Sequence, residues 1–494
     1  MKKIFFTLLI TLLYMGAMAN EHSVKEGRKE RDQFAGKWFG DLRVNPNFKL
    51  LIAFEITALA GGDYEAIMHS ADQKSFNITV DRVVAEGDSI ILEIKMLASI
   101  YKGQLTTDSI SNKKTLIQGN LGNPGNRGLT LTLQKCEEFP FHIAKRPQEP
   151  KKPYSYHSED VTFTNTEEKI SLSGTFTKPF GVERAPAVVL ISGSGPSDRN
   201  QTIFGHKVFL VLADYLTRNG IAVLRYDDRG AGESQGSFRN ATVRDHAADA
   251  SYAIEYLKSR ADVDSLRVGL IGHSLGAEIA PITATINSST AFIVLMAGSA
   301  ISLKEVIFEQ CDAVFTSRGA SKEGIALNRE ILESTMEIFK NSVNDSIAKE
   351  DIKRDLLTFD SRVSALTQSD REKIGLSSPL KLSDYSSLLM PFMRYDLFHN
   401  PSETLKQVKC PVFALIGDKD IQVLPYNLDL IEQAAKSGGN TNIKTKLYKN
   451  RNHLLQNCTT GAVEEYGDIE ETISEEVIND IIEWILIELF QMRA

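Results

Sequence analysis

Two rhythms of apolar residues divide this chain. Between Gly36 and Cys136 apolar and polar positions alternate with period two, in Leu50-Ile52-Phe54-Ile56, in Ile90-Leu92-Ile94-Met96 and in Leu129-Leu131-Leu133. That period puts every second side chain on one face of a strand. Gly61-Gly62-Asp63 and Glu86-Gly87-Asp88 supply the positive-φ residues that hairpins need. The expectation is a meander closing into a small all-β barrel or sandwich over residues 20–138. From about Tyr154 the rhythm changes to short apolar strands alternating with helical stretches. Ala187–Ile191, Ile221–Tyr226, Arg267–Ile271, Ala291–Met296, Val412–Gly417 and Thr445–Tyr448 are rich in Val, Ile and Leu, and helical patterns such as Lys207–Asn219 and Thr242–Arg260 separate them. Such a pattern predicts an α/β unit over residues 154–494, with a mostly parallel, doubly wound sheet covered on both faces. Pro140, Pro147, Pro150 and Pro153 mark residues 139–153 as an extended linker. The charged, helix-patterned stretch Ser302–Pro401 is too long for an ordinary connection and reads as a lid-like insertion.

Composition fits two ordered domains. At 494 residues the chain exceeds the roughly 250–300 that one core serves. A formal net charge of −8, without Lys/Arg clusters interleaved with aromatics, gives no field that attracts phosphate backbones, so nucleic acid is not an expected partner. At the start, Lys2 and Lys3 precede the apolar run Ile4–Met15 and the small-residue site Ala17-Met18-Ala19. This is the pattern of a signal peptide spanning residues 1–19, which implies export to the periplasm or beyond. A membrane anchor is the alternative, but the run is shorter than the ~20 apolar residues a span requires, and no stable membrane insertion is expected after cleavage. Cys136, Cys311, Cys410 and Cys458 would then meet an oxidising compartment, with no connectivity legible from spacing.

The chemistry gathers around Gly272-His273-Ser274-Leu275-Gly276, between the strand Arg267–Ile271 and a helix expected over Leu275–Asn287. A serine on a sharp strand-to-helix turn is exposed for attack, and the close approach of strand to helix explains the two glycines. Its hydroxyl is a weak nucleophile and needs a base, itself oriented by a carboxylate. His453, after the strand Thr445–Tyr448, stands where such a fold delivers its base. Two aspartates, Asp418 and Asp420, follow the strand Val412–Gly417 at the sheet's carboxyl edge; Asp420 is the better candidate for the acid, and Asp418 the better candidate to cap the turn. An oxyanion would be met by the backbone N–H of Leu275 and by one from Ser192-Gly193-Ser194-Gly195-Pro196, with Ser194 ahead of Gly195.

Five features occur in order: Gly193-Ser194-Gly195-Pro196-x-Asp198-Arg199, Tyr226-Asp227-x-Arg229-Gly230-x-Gly232-x-Ser234, the serine turn, Cys410-Pro411, and Asn452-His453. Together they resemble the two-domain bacterial carboxylesterases of the α/β-hydrolase superfamily. The resemblance implies an α/β-hydrolase fold behind a β-rich front domain, and cofactor-free hydrolysis of small-molecule acyl esters through Ser274, His453 and Asp420. A serine peptidase or thioesterase is the alternative, because one triad serves all three reactions. Gly230-x-Gly232-x-x-x-Gly236 has the wrong spacing for a dinucleotide loop, and neither a nucleotide-phosphate loop nor a His-Glu-x-x-His helix is present. No metal is expected. Phe392, Tyr395 and Phe398 are open to two readings, acyl pocket or lid core. Nothing in the sequence sets the oligomeric state, the acyl group or the alcohol.

Overall fold

The computed structural model describes residues 33–491, apart from 46–47, 60, 74, 108–113 and 124–127, so the export segment expected at residues 1–19 lies outside the described residues. Among the described residues the chain divides into two compact units, the first running to Lys145 and including Ile203–Gly205, the second taking the rest from Arg146.

In the first unit nine antiparallel strands form one sheet in the order Ser75–Thr79, Tyr64–Ser70, Phe48–Ala58, Gly36–Asn45, Leu129–Cys136, Lys114–Gly122, Ser99–Thr107, Ser89–Ile94, Arg82–Glu86. The two edge strands are consecutive in the chain, separated only by Val80 and Asp81. Val80 N–H donates to Ala66 near one edge, and Asp81 N–H donates to Glu93 near the other. Two residues cannot cross a flat sheet of this width, so the sheet curls into a half-open barrel rather than splitting into a sandwich. Ile52, Phe54, Ile56, Ile90, Leu92, Ile94, Leu131 and Leu133 all point into its filled interior. Leu129, the first residue of its strand, is exposed instead. Two polar tips inside are satisfied: Trp38 Nε1–H donates to Phe34 O at 2.7 Å, and Tyr101 hydroxyl to Ile117 O at 3.0 Å.

The proline-rich stretch between Glu137 and Ser155 forms neither helix nor strand. Its second half is nevertheless bonded to the second unit. Arg146 donates to the carbonyls of Gly467 and Ile469, each at 2.9 Å, and the Gln148 amide accepts from Thr472 N–H at 2.6 Å and donates to Ile473 O at 2.7 Å.

The second unit is built on an eight-stranded sheet, ordered Tyr156–Asn165, Ile170–Pro179, Ala222–Tyr226, Ala185–Ile191, Val263–His273, Ile293–Met296, Val412–Gly417, Ile443–Tyr448. Only Ile170–Pro179 runs antiparallel to its neighbours. The first two strands were not marked by apolar runs, because the edge strand Tyr156–Asn165 is largely solvent-facing and reads as polar. Register then sets up a site. Ile191 pairs with Gly272, and Gly417 with Tyr448. The loops that leave Ile191, His273, Gly417 and Tyr448 therefore open side by side at the carboxyl edge of the sheet.

The insertion is a helical cap. Leu303–Ser317, Lys322–Asn341, Asp345–Ala365 and Gln368–Ile374 begin at Ser302, Ser321, Asn344 and Thr367, each of whose side chains accepts a first-turn N–H. Such caps contribute about 1 kcal/mol each. Ile307, Ile331, Met336, Phe339, Ile352, Leu356 and Val363 close a hydrophobic core distinct from that of the sheet.

Candidate active site

Strand Val263–His273 passes to helix Leu275–Ile286 through Ser274 alone, whose φ of 56° and ψ of −118° lie outside the regions favoured by residues with a Cβ. Ser274 N–H donates to Met296 O at 2.9 Å, pinning the turn to the next strand. A Cβ on Gly272 would sit 2.0 Å from Gly276 O, and one on Gly276 would sit 2.1 Å from Ile191 O. The glycines are thus required by packing on both sides of the turn.

Ser274 Oγ lies 3.0 Å from His453 Nε2, and His453 Nδ1 lies 2.8 Å from Asp420 Oδ2. Asp420 is 2% exposed, and its other oxygen accepts the N–H groups of Gln422 and Val423 at 2.8 and 2.9 Å. Four hydrogen-bond contacts around one buried carboxylate and one ring fix both planes. Asp418 faces elsewhere: its Oδ1 accepts Asn450 N–H at 2.6 Å, tying the acid loop to the base loop. The base loop is itself held by Asn452, whose Oδ1 accepts Leu454 and Gln456 N–H.

Leu275 is the first residue of its helix, so its N–H has no acceptor within the helix and points out at the positive end of the dipole. Opposite it, the residue packed on Ser274 is Gly193: a Cβ there would come within 3.2 Å of Ser274 Cβ. Ser194 follows with its side chain exposed. The loop is closed at its base by Asp228, which accepts Ser192 Oγ–H at 2.7 Å and Ser197 N–H at 2.9 Å. Burial pushes the Asp228 carboxyl up to about 7 despite those donors. Sequence reasoning placed no role on Asp228, nor on His273, whose ring is buried beside His453. No spacing marks either residue; only the enclosure of a polar side chain reveals them. The turn Arg229–Gly236 wraps Asp227, which takes Arg199 and Glu233 N–H; it is a structural turn.

The three aromatics of the insertion part company. Phe392 joins Phe238 and Met390, Tyr395 stacks on His399, and Phe398 packs against the cap core. Nearby, Glu278 on the helix Leu275–Ile286 is buried with an unpartnered Oε1, 3.8 Å from His399 Nε2. Burial, then the Asp396 carboxyl, push Glu278 up to about 8. The folded state therefore keeps a proton that the unfolded chain releases near pH 4.5, and stability falls as pH rises from there to about 8. Glu278→Gln removes that loss. In chemical denaturation the variant is expected to gain little at pH 5 and up to about 5 kcal/mol at pH 9. A gain at pH 5 as large as that at pH 9 would contradict this account.

An open, mostly parallel sheet with its serine on a strained strand-to-helix turn, followed by a helical insertion, is an α/β-hydrolase fold with the site of a serine hydrolase. The family described as serine aminopeptidase, S33, matches residues 206–384. Esterase EstD of Thermotoga maritima is 28% identical over 335 residues, 68% of each chain. Among solved structures, the Pyrococcus furiosus esterase Pf2001 covers 62% of this chain and 89% of its own at 18% identity and a TM-score of 0.38. The α/β hydrolase GrgF from a Penicillium species covers 67% and 98% at 16% identity and a TM-score of 0.42.

Proposed function

We propose that this protein is an exported carboxylesterase working through an acyl-enzyme. The observation that carries the reading is the unbroken chain of contacts from Ser274 Oγ to His453 to Asp420, at 3.0 and 2.8 Å, on the strained turn. His453 Nε2 takes the Ser274 proton as Oγ attacks the ester carbonyl, and the N–H groups of Leu275 and Ser194 meet the oxyanion. Collapse breaks the ester C–O bond, and His453 returns the proton to the departing alcohol. Water, activated by the same ring, then releases the acid and restores Ser274. The choice of esters is supported by the likeness to an esterase across 68% of the chain. Export is supported by the signal pattern of residues 1–19.

A serine peptidase is the second reading, favoured by the description of the family that matches residues 206–384. Purified protein assayed on acyl esters of graded chain length, a thioester series and aminoacyl or peptide amides separates them. Short-chain esters are expected to give the highest kcat/KM. Faster cleavage of any amide than of every ester would replace the first reading by the second.

A further inference from the structure

We infer that His273 is a positioning residue that locks the catalytic base to the strand bearing the nucleophile, and that Gln201 holds the ring by donating to its other nitrogen. The inference rests on the triad reading above. His273 Nε2 lies 3.0 Å from the backbone carbonyl of His453, and His273 Nδ1 lies 2.5 Å from Gln201 Nε2. A carbonyl only accepts, so Nε2 carries the proton. In a neutral ring Nδ1 is then an acceptor, and the Gln201 amide must turn its N–H toward it. The opposite amide orientation would demand a proton on Nδ1 and leave two acceptors, Nε2 and the His453 carbonyl, facing each other.

Neutrality is enforced by enclosure. The ring is 2% exposed, and burial, with the neighbouring His453, pushes His273 down to about 3. Its protonation state is thus constant across the range in which an esterase works, and the hydrogen bond to His453 O does not switch with pH. Gln201 is 4% exposed with a left-handed φ of 47°, and it closes the segment that begins at the oxyanion loop. A Cβ on Gly193 in that loop would come within 3.5 Å of His273 Nδ1. One imidazole therefore touches, or adjoins, the nucleophile turn, the base loop and the oxyanion loop. A displacement of the base of about 1 Å can cost ~10²-fold in rate, so a single bond on its backbone has leverage on turnover and little on substrate binding.

The test uses the full chain with a short-chain nitrophenyl ester, sites being counted by phosphonate titration. His273→Leu is expected to lower kcat about 30- to 300-fold with KM changed less than about threefold. His273→Gln, whose amide nitrogen reaches roughly where Nε2 lies, is expected to recover to within about tenfold of the parent. Gln201→Leu keeps the ring and its bond to His453 O but leaves Nδ1 without a donor, so the ring can shift, and is expected to lose about three- to tenfold in kcat; it serves also if His273→Leu does not fold. In a His453→Ala background His273→Leu should cost nothing further, since there is no base left to position. Parent-like kcat per titrated site in both Leu variants, a Gln variant no better than Leu, or an undiminished loss in the His453→Ala background would each overturn the inference. Full turnover by Ser274→Ala would instead overturn the reading on which it rests.

Discussion

Ser274→Ala is expected to lower ester turnover by about 10⁶-fold, the scale of nucleophile removal in another serine hydrolase. Ser274 Oγ is the hydroxyl bonded to His453 Nε2, whereas the neighbouring Ser192 hydroxyl is taken up by Asp228. Alanine retains a Cβ and so retains the strained turn, which leaves stability close to that of the parent. Ser274→Gly is expected to be as inactive but more stable, by about 1–3 kcal/mol, because glycine populates φ near 56° without the steric cost. The pair separates chemistry from strain. It is checked by turnover with chemical denaturation on the same samples; a glycine variant less stable than the alanine variant would contradict the strained-turn account, and retained turnover in either would remove Ser274 from the mechanism.

Asp420→Asn is expected to cost about 10⁴ in kcat, and Asp418→Asn less than about threefold. The two residues sit one apart from Lys419 on the same loop, but their acceptors are used differently. Asp420 gives one oxygen to two backbone N–H groups and the other to His453 Nδ1. An amide in its place keeps an oxygen for Gln422 and Val423 only by turning its NH₂ toward the ring, which forces the wrong tautomer on the base. Asp418 accepts from a backbone N–H, a task that an Asn oxygen performs as well. With both variants shown folded by circular dichroism and assayed on one ester, a crippled Asp418→Asn beside an active Asp420→Asn would reverse the roles.

Chain order and strand endings made three residues stand out, and the structure brings those three within hydrogen-bond reach of one another. Ser274 and Asp420 were legible because they stand just past the buried apolar strand ends Val268–Ile271 and Val412–Gly417; His453 lies beyond Ile443–Tyr448, a strand that carries Lys444 and Lys446, and chain order rather than an apolar run marked it. The strand Tyr156–Asn165 was not legible, since a sheet edge open to solvent need not be apolar on both faces; Ile170–Pro179 is internal and largely buried, but Ser171, Ser173, Thr175 and Thr177 interrupt its apolar run, with the Thr175 and Thr177 hydroxyls bonded to Asp160 and Thr217. The choice between barrel and sandwich also lay beyond the alternation, which fixes which face is buried and not which strands pair; the two-residue link Val80-Asp81 decides it. His273, Gln201 and Asp228 share another kind of silence. Each is a polar residue whose part depends on being enclosed by segments distant in sequence, such as the 180 positions between His273 and His453. The aromatics Phe392, Tyr395 and Phe398 looked like one group and serve three different surroundings: Phe392 sits with Phe238, Tyr395 on His399, and Phe398 against the insertion's core.

The cap's separate core bears on how such an enzyme can change. It is inserted between Ile293–Met296 and Val412–Gly417, two strands that already lie side by side. Substitutions among the residues of that core therefore repack against one another and leave the registers that deliver Ser274, Asp420 and His453 undisturbed. Selection can vary that core at small risk to the sheet, and an engineer can do the same, provided Phe392, Asp396 and His399, which meet Phe238, Val243 and Glu278, are kept.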